Sequence, residues 1–423
     1  MTMRLKLLGA TACAGVALFA ASVFSAQRVE AHEEDTAQAT LVEVTSGRIS
    51  FDHPVPTFKV DAAWPLLPEN LILGQVSGLA IDKDDNVWIA NRPNALGFSD
   101  TGRDADPPIT KACCNAPPHI IQFSAEGDYL RGWGGSELAP GESTLEGSGR
   151  RAVETGDEQW PRNIHGLFVD EDMTLWFGGN GPGDHAILNF TADGEYIRQI
   201  GKRQVTDGNY SKEYLGNPAD ASYDGKTVLV ADGYTNRRIV EFYGENLEYR
   251  RLWGAYGANA EDAARDIVFD PSQASSNSDG GAQPESRSFG DIVHCVVRGP
   301  ESTVYVCDRR NNRLQVFRES EEGVEFLQNV PIAPETGGTR TVTDVGFSPD
   351  GAYVYVADMM NGRIWILLRE THEAIGWMGK NGRYAGQFIW LHSLDVDSQG
   401  NVYASEVNTG RRVQKFVFQG LED

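Results

Sequence analysis

Three histidines recur at one place in alternate copies of an internal repeat: His165 in NIHGLFVD, His294 in DIVHCVV and His392 in WLHSLDVD. Each opens a strand that a short polar turn joins to a second strand. In a closed ring of six such units, every other position lies about 120° apart around the axis. The three imidazoles then converge on one point. Neutral imidazole suits zinc or another first-row divalent ion, and three protein ligands leave a fourth position open for water or substrate. The aligned register is Ser77, His165, Ala219, His294, Thr343 and His392, so large rings alternate with small residues. One such histidine alone reads as a hydrogen-bonded channel residue. Three in strict alternation read as a metal site.

Other polar groups fall at the ends of the second strands. Arg92 follows NVWIAN, Tyr234 follows VADG and Arg309 follows VCD. Two guanidiniums there would grip a carboxylate through paired hydrogen bonds. A phenol beside a metal and two cations would act as a general base. Arg237, Arg313, Arg363 and Arg411 recur from unit to unit, so they are expected to brace neighbouring sheets. His119 and His185 start outer strands and fall outside the alternation, so they are expected to be structural.

The elements that must position these groups form six copies of one pattern, from GLAIDKDDNVWIANRP in the first to HSLDVDSQGNVYASEVNTGRRVQKFVF in the last. Each copy holds about four short strands with period-two alternation. Such a sheet cannot bury both faces alone, and radial stacking against its neighbours solves that problem. The expected fold is all-β: a six-bladed β-propeller over residues 51–420, built from repeats whose NGR and TNRR turns resemble those known as NHL. The last copy is one strand short, and Val55 to Val60 is placed to supply it and close the ring. Insertions at Ala95 to Pro118, Ser136 to Gln159 and Ala258 to Ser288 either shape a binding surface at the ends of the ring or merely decorate it.

Composition bounds the rest. The 423 residues are 40% hydrophobic and 23% charged, as in globular proteins. A net charge of −23 excludes a nucleic-acid partner, which needs a basic face. Arg4, Lys6, the apolar run Leu7 to Ala26 and Val29-Glu30-Ala31 read as a secretory signal over residues 1–31. The mature chain is therefore expected to be exported, periplasmic or extracellular, without a membrane span, and a monomer. Residues 32–50, polar over His32 to Ser46, read as a flexible leader. An oxidising compartment favours disulfides. Cys295 and Cys307 flank one hairpin and suit a cross-strand bridge; Cys113 and Cys114 are adjacent, and bridge each other, stay reduced or pair elsewhere.

The stretches GQVSGLAID with Arg92 downstream, HGLFVD, VADGYTNRRIVEF and CDRRNNRLQVF resemble the peptidylglycine α-amidating lyase family, from about Leu73 to Val417. That resemblance implies zinc on His165, His294 and His392, Tyr234 as base, and Arg92 and Arg309 beside the substrate. The substrate implied is a peptidyl-α-hydroxyglycine, cleaved to a peptide amide and glyoxylate. It also implies calcium, held by the backbone carbonyls of Leu79 and Leu167 and by an aspartate after the third histidine. Here Ser393 stands in that place, and Thr235 replaces the cysteine that follows the family's tyrosine. Two other readings stay open: a propeller hydrolase or lyase with another small substrate, and a non-catalytic NHL-repeat module that binds a protein.

Overall fold

The second strand of every repeat is an apolar run, such as Val87 to Ala90, Val228 to Ala231 or Val354 to Ala357, and all of these residues are buried. A strand that is apolar on both faces needs a cover on each side. In the computed structural model each repeat is a four-stranded antiparallel sheet, and the covers are the sheets before and after it. The structure describes residues 40–97, 100–101, 114–134, 160–258 and 284–423. Val42 to Asp423 is one compact unit, and among its described residues the sheets number six. The architecture is a six-bladed β-propeller built from NHL-like repeats, as the strand count predicts.

The core is not a single mass. It divides into six apolar clusters, each between consecutive blades. Trp88, Trp133, Trp160, Phe177 and Phe190, for example, fill the gap between blades one and two. The aspartate that ends several inner strands sets both the turn and this packing. Asp82 accepts the backbone N–H groups of Asp84 and Asn86, and also the indole N–H of Trp88 at 2.8 Å. Asp170 does the same for Thr174 and Trp176, and Asp397 takes the Tyr403 hydroxyl. One carboxylate thus closes the hairpin and satisfies a ring whose apolar body lies in the core.

Ring closure follows the sequence expectation. Val55–Asp61 pairs antiparallel with Arg412–Glu422 as the fourth strand of blade six, opposing Phe58 to Phe418 and Val60 to Phe416. The leader is corrected within its described part. Leu41–Glu43 and Ser46–Arg48 are strands, and the second adds a fifth strand to blade five beside Ala374–Met378. An exposed edge at Ala374–Met378 outweighs the polar composition of the segment, because it offers unpaired backbone donors and acceptors. The export segment 1–31 and most of the three insertions lie outside the described residues. No helix among the described residues is long and apolar enough to cross a membrane.

The brace assignment is half right. Arg313 ion-pairs with Asp308 at 2.7 Å, both fully buried. In blades three and six the ion-paired residue is the second arginine of each pair: the buried Arg238 with Asp232, and the partly buried Arg412 with Glu406. The turn there is one residue longer, so Arg237 and Arg411 fall one place before the ladder position. Arg411 instead reaches Asp100 at 3.0 Å. In blade five Arg363 occupies the ladder position but lies over the Trp377 ring at 4.1 Å, while Asp358 accepts from Trp365 and Asn361.

Candidate metal centre

A local irregularity aims the axial residues. In five inner strands the ladder shifts register at or just after the axial position: around Ser77, His165, His294, Thr343 and His392. A bulge puts an extra residue into one strand and re-aims its side chain. These bulges face the axis of the ring.

The three imidazoles meet there. Their ring centroids are 4.7–4.9 Å apart, and one ring nitrogen from each lies within 4.8 Å of the others. All three residues are buried. The intervening Ser77, Ala219 and Thr343 leave the room that the alternation demands. The structure thus brings together the three histidines that the repeat register aligns.

The hydrogen bonds define which nitrogen faces inward. His165 Nδ1 donates to the Ala219 carbonyl and His294 Nδ1 to the Thr343 carbonyl, each at 2.7 Å and each in the next blade. Carbonyls only accept, so both rings carry their proton on Nδ1 and turn the Nε2 lone pair to the axis. His392 differs. Its buried Nδ1 has no hydrogen-bond partner, and its Nε2 lies 3.2 Å from His294 Nε2. His294 Nε2 is an acceptor, so His392 donates to it. An ion on the axis would take all three Nε2 lone pairs and move that proton to the orphaned Nδ1. A tetrahedral ion with bonds of about 2.0 Å spaces its nitrogens about 3.3 Å apart. The donor set fits a zinc-like divalent ion.

Electrostatics point the same way. Burial holds all three histidines well below the usual imidazole value. Arg92 adds to this at His165, Arg309 at His294, and the other two rings at His392. The rings are neutral, which is the state that ligates metal.

Tyr234 comes closer than its strand-end position alone implies. Its hydroxyl donates to His165 Nε2 at 2.8 Å. The two arginines separate in role. Arg92 spends its donors on the Ile164 carbonyl, Gln75 Oε1 and Asn180 Oδ1 at 2.8–3.2 Å, so it anchors the residue before His165. Burial pulls its guanidinium down to about 10, still charged at neutral pH. Arg309 lies 6.0 Å from the Tyr234 ring centre, and its buried Nε has no partner. Arg309 therefore keeps one buried guanidinium nitrogen without a hydrogen bond, which Arg92 does not. His119 and His185 bond to backbone groups away from the axis, at Gly134 and Asn217.

The sequence reading missed the acidic residues beneath the centre. A cavity of about 530 Å³ runs from the three histidines along the inner strands, past Asp220, Asp344 and Asp395. The repeat alignment held the signal: Asp220 and Asp344 directly follow the axial position. Asp344 Oδ2 accepts from the Ser393 hydroxyl and the Leu394 N–H. Ser393 brings no anionic ligand to the place where the resemblance implies one, and its hydroxyl is tied to Asp344 instead.

Burial pushes the Asp344 carboxyl up to about 7 from the usual 3.8 and that of Asp395 to about 6, and burial with Asp344 opposite raises Asp220. The folded protein keeps these protons at a pH where the unfolded chain has released them. Their contribution to stability is therefore complete below 3.8 and is lost as pH climbs through the folded value. Asp344→Asn, which cannot ionise, should gain in melting temperature over wild type as pH rises from about 4 to 7, then hold that margin. Melting curves of both proteins across that range test this, and a margin independent of pH would reject it.

Fold and site together define a six-bladed propeller of NHL-like repeats with three imidazoles gathered on its axis. NHL repeat-containing protein 3 of Mus musculus is 24% identical over 385 residues, covering 88% of this chain and 87% of that protein. The Homo sapiens protein of the same name is 22% identical over 373 residues, covering 85% and 84%. Among solved structures, Kuenenia stuttgartiensis hydrazine synthase is 13% identical with a TM-score of 0.46, covering 87% of this chain and 90% of that one. No family model matches the chain.

Proposed function

We propose that this chain is an exported, metal-dependent carbon–nitrogen lyase acting on a carbinolamide that carries a carboxylate, of which a peptidyl-α-hydroxyglycine is the example to test. The observation that carries the reading is the convergence of His165, His294 and His392 with the Tyr234 hydroxyl against their inward nitrogens. A divalent ion held by the three histidines supplies Lewis acidity to the substrate hydroxyl. Arg309, with its free Nε, takes the carboxylate, and Arg92 holds the strand of His165 in place. Tyr234, whose oxygen lies against the inward nitrogen of His165, is the group placed to accept the hydroxyl proton. The carbonyl of glyoxylate forms as the C–N bond breaks, and Tyr234 returns the proton to the departing amide nitrogen.

A second reading has its own support. Tyr234 with His165, and His392 with His294, already form hydrogen-bonded pairs, which would close the axis of a non-catalytic module. Metal analysis and a glyoxylate assay on one sample separate these readings. The lyase should hold about one divalent ion per chain and release glyoxylate from a synthetic peptidyl-α-hydroxyglycine. Metal-replete protein that releases none points to another small substrate. Protein without metal, after exposure to zinc, points to the module.

A further inference from the structure

We propose that the Cys295–Cys307 disulfide is a positioning clamp that holds His294 and Arg309 as one unit. Resting on the metal-centre reading, the proposal concerns how this chain keeps a ligand aimed from a gap in its sheet. The bridge joins the inner and second strands of blade four, with Cα atoms 4.8 Å apart. Its location is specific. The ladder pairs Val293 with Asp308 and next Val296 with Val306, so His294 and Cys295 face Cys307 across the bulge without regular pairing. The disulfide spans that gap. One end is the neighbour of His294, and the other lies two residues before Arg309.

Fold stability alone does not account for this placement. The bridge closes only a 12-residue separation in a hairpin whose register several paired residues already define. Loop-closure entropy rewards long loops more than short ones. The other two ligands meet the same need by other means. After His165 comes Gly166 at φ 60°, where an added Cβ would lie 2.3 Å from the Ala219 carbonyl oxygen. That carbonyl is the acceptor for His165 Nδ1, and only glycine lets the backbone come so near. After His392 comes Ser393, tied to Asp344 in the preceding blade. Each residue following a ligand locks its bulge, by close approach, by a covalent bond or by a hydrogen bond. His294, beside the chain that carries Arg309, has the covalent one.

The test compares wild type with Cys295→Ala/Cys307→Val, and with Val316→Ala as a control that opens the same apolar cluster away from the bulge. Near-UV circular dichroism checks the fold, and cobalt(II) titration reads both affinity and ligand geometry from the visible band. The double variant should bind cobalt about 10- to 100-fold more weakly, the usual effect of loosening a ligand's support, and shift the band. Val316→Ala should lower the melting temperature and leave both unchanged. Equal cobalt affinity in double variant and wild type overturns the clamp, as does equal weakening in the control. A wild type that takes no cobalt defeats the metal reading instead. The clamp then stands or falls on ¹⁵N-histidine NMR. The Nδ1–H that His294 donates to Thr343 should exchange slowly in wild type and fast in the double variant, and unchanged exchange overturns the proposal.

Discussion

Tyr234→Phe should keep its metal and lose about 10²- to 10⁴-fold in turnover, the range for a positioned acid–base group. His294→Ala should lose both. The phenol ring packs 4.9 Å from the His165 ring and lies under Arg309, and phenylalanine preserves that shape. Only the hydroxyl that meets His165 Nε2 disappears. Its loss removes the proton carrier and leaves three nitrogens in place. His294→Ala removes one of three ligands, and with it the hydrogen bonds to Thr343 and His392. The measurements are metal content by atomic emission and glyoxylate release under single-turnover conditions. Full turnover in Tyr234→Phe would show that the base is another group. Undiminished metal in His294→Ala would place the ion elsewhere.

Asp308→Ala should cost about 3–5 kcal/mol of stability, the effect of stranding a buried charge. Asp308 and Arg313 are both fully buried and meet at 2.7 Å. The carboxylate also accepts the Gly290 N–H and the Asn311 amide. Arg313 spends its remaining donors on the Pro284 and Ser288 carbonyls and the Tyr256 hydroxyl. Removing Asp308 leaves a guanidinium with no counter-ion and no route to water. Asp358→Ala is the comparison. That carboxylate serves neutral donors, Trp365 and Asn361, so its loss should cost about 1–3 kcal/mol. Urea unfolding of both variants checks the difference. Equal losses would mean that the charge pairing in blade four contributes nothing beyond its hydrogen bonds.

Much of the centre was legible in the repeats because a propeller reuses one register six times. Aligning HGLFVD, HCVVRG and HSLDVD is enough to put three rings on one axis, since equivalent positions in a closed ring are equivalent in space. The same logic misplaced Arg237 and Arg411. A turn longer by one residue moves the ladder position to the next arginine, and composition does not register that shift. Asp344 was visible as a letter but not as a group, because its importance comes from facing Ser393 and Asp220 across a cavity.

Residue order by itself determined the number of blades, the closing strand at Val55–Asp61 and the alternation of large and small residues on the axis. Those depend on period, and period is local. Only the tertiary structure decided that Arg92 anchors a backbone carbonyl while Arg309 keeps a free donor, that Tyr234 reaches an imidazole, and that polar residues near Ser46–Arg48 form an edge strand. Those depend on which atoms burial brings within about 3 Å, and partners far apart along the chain meet only after the ring has closed.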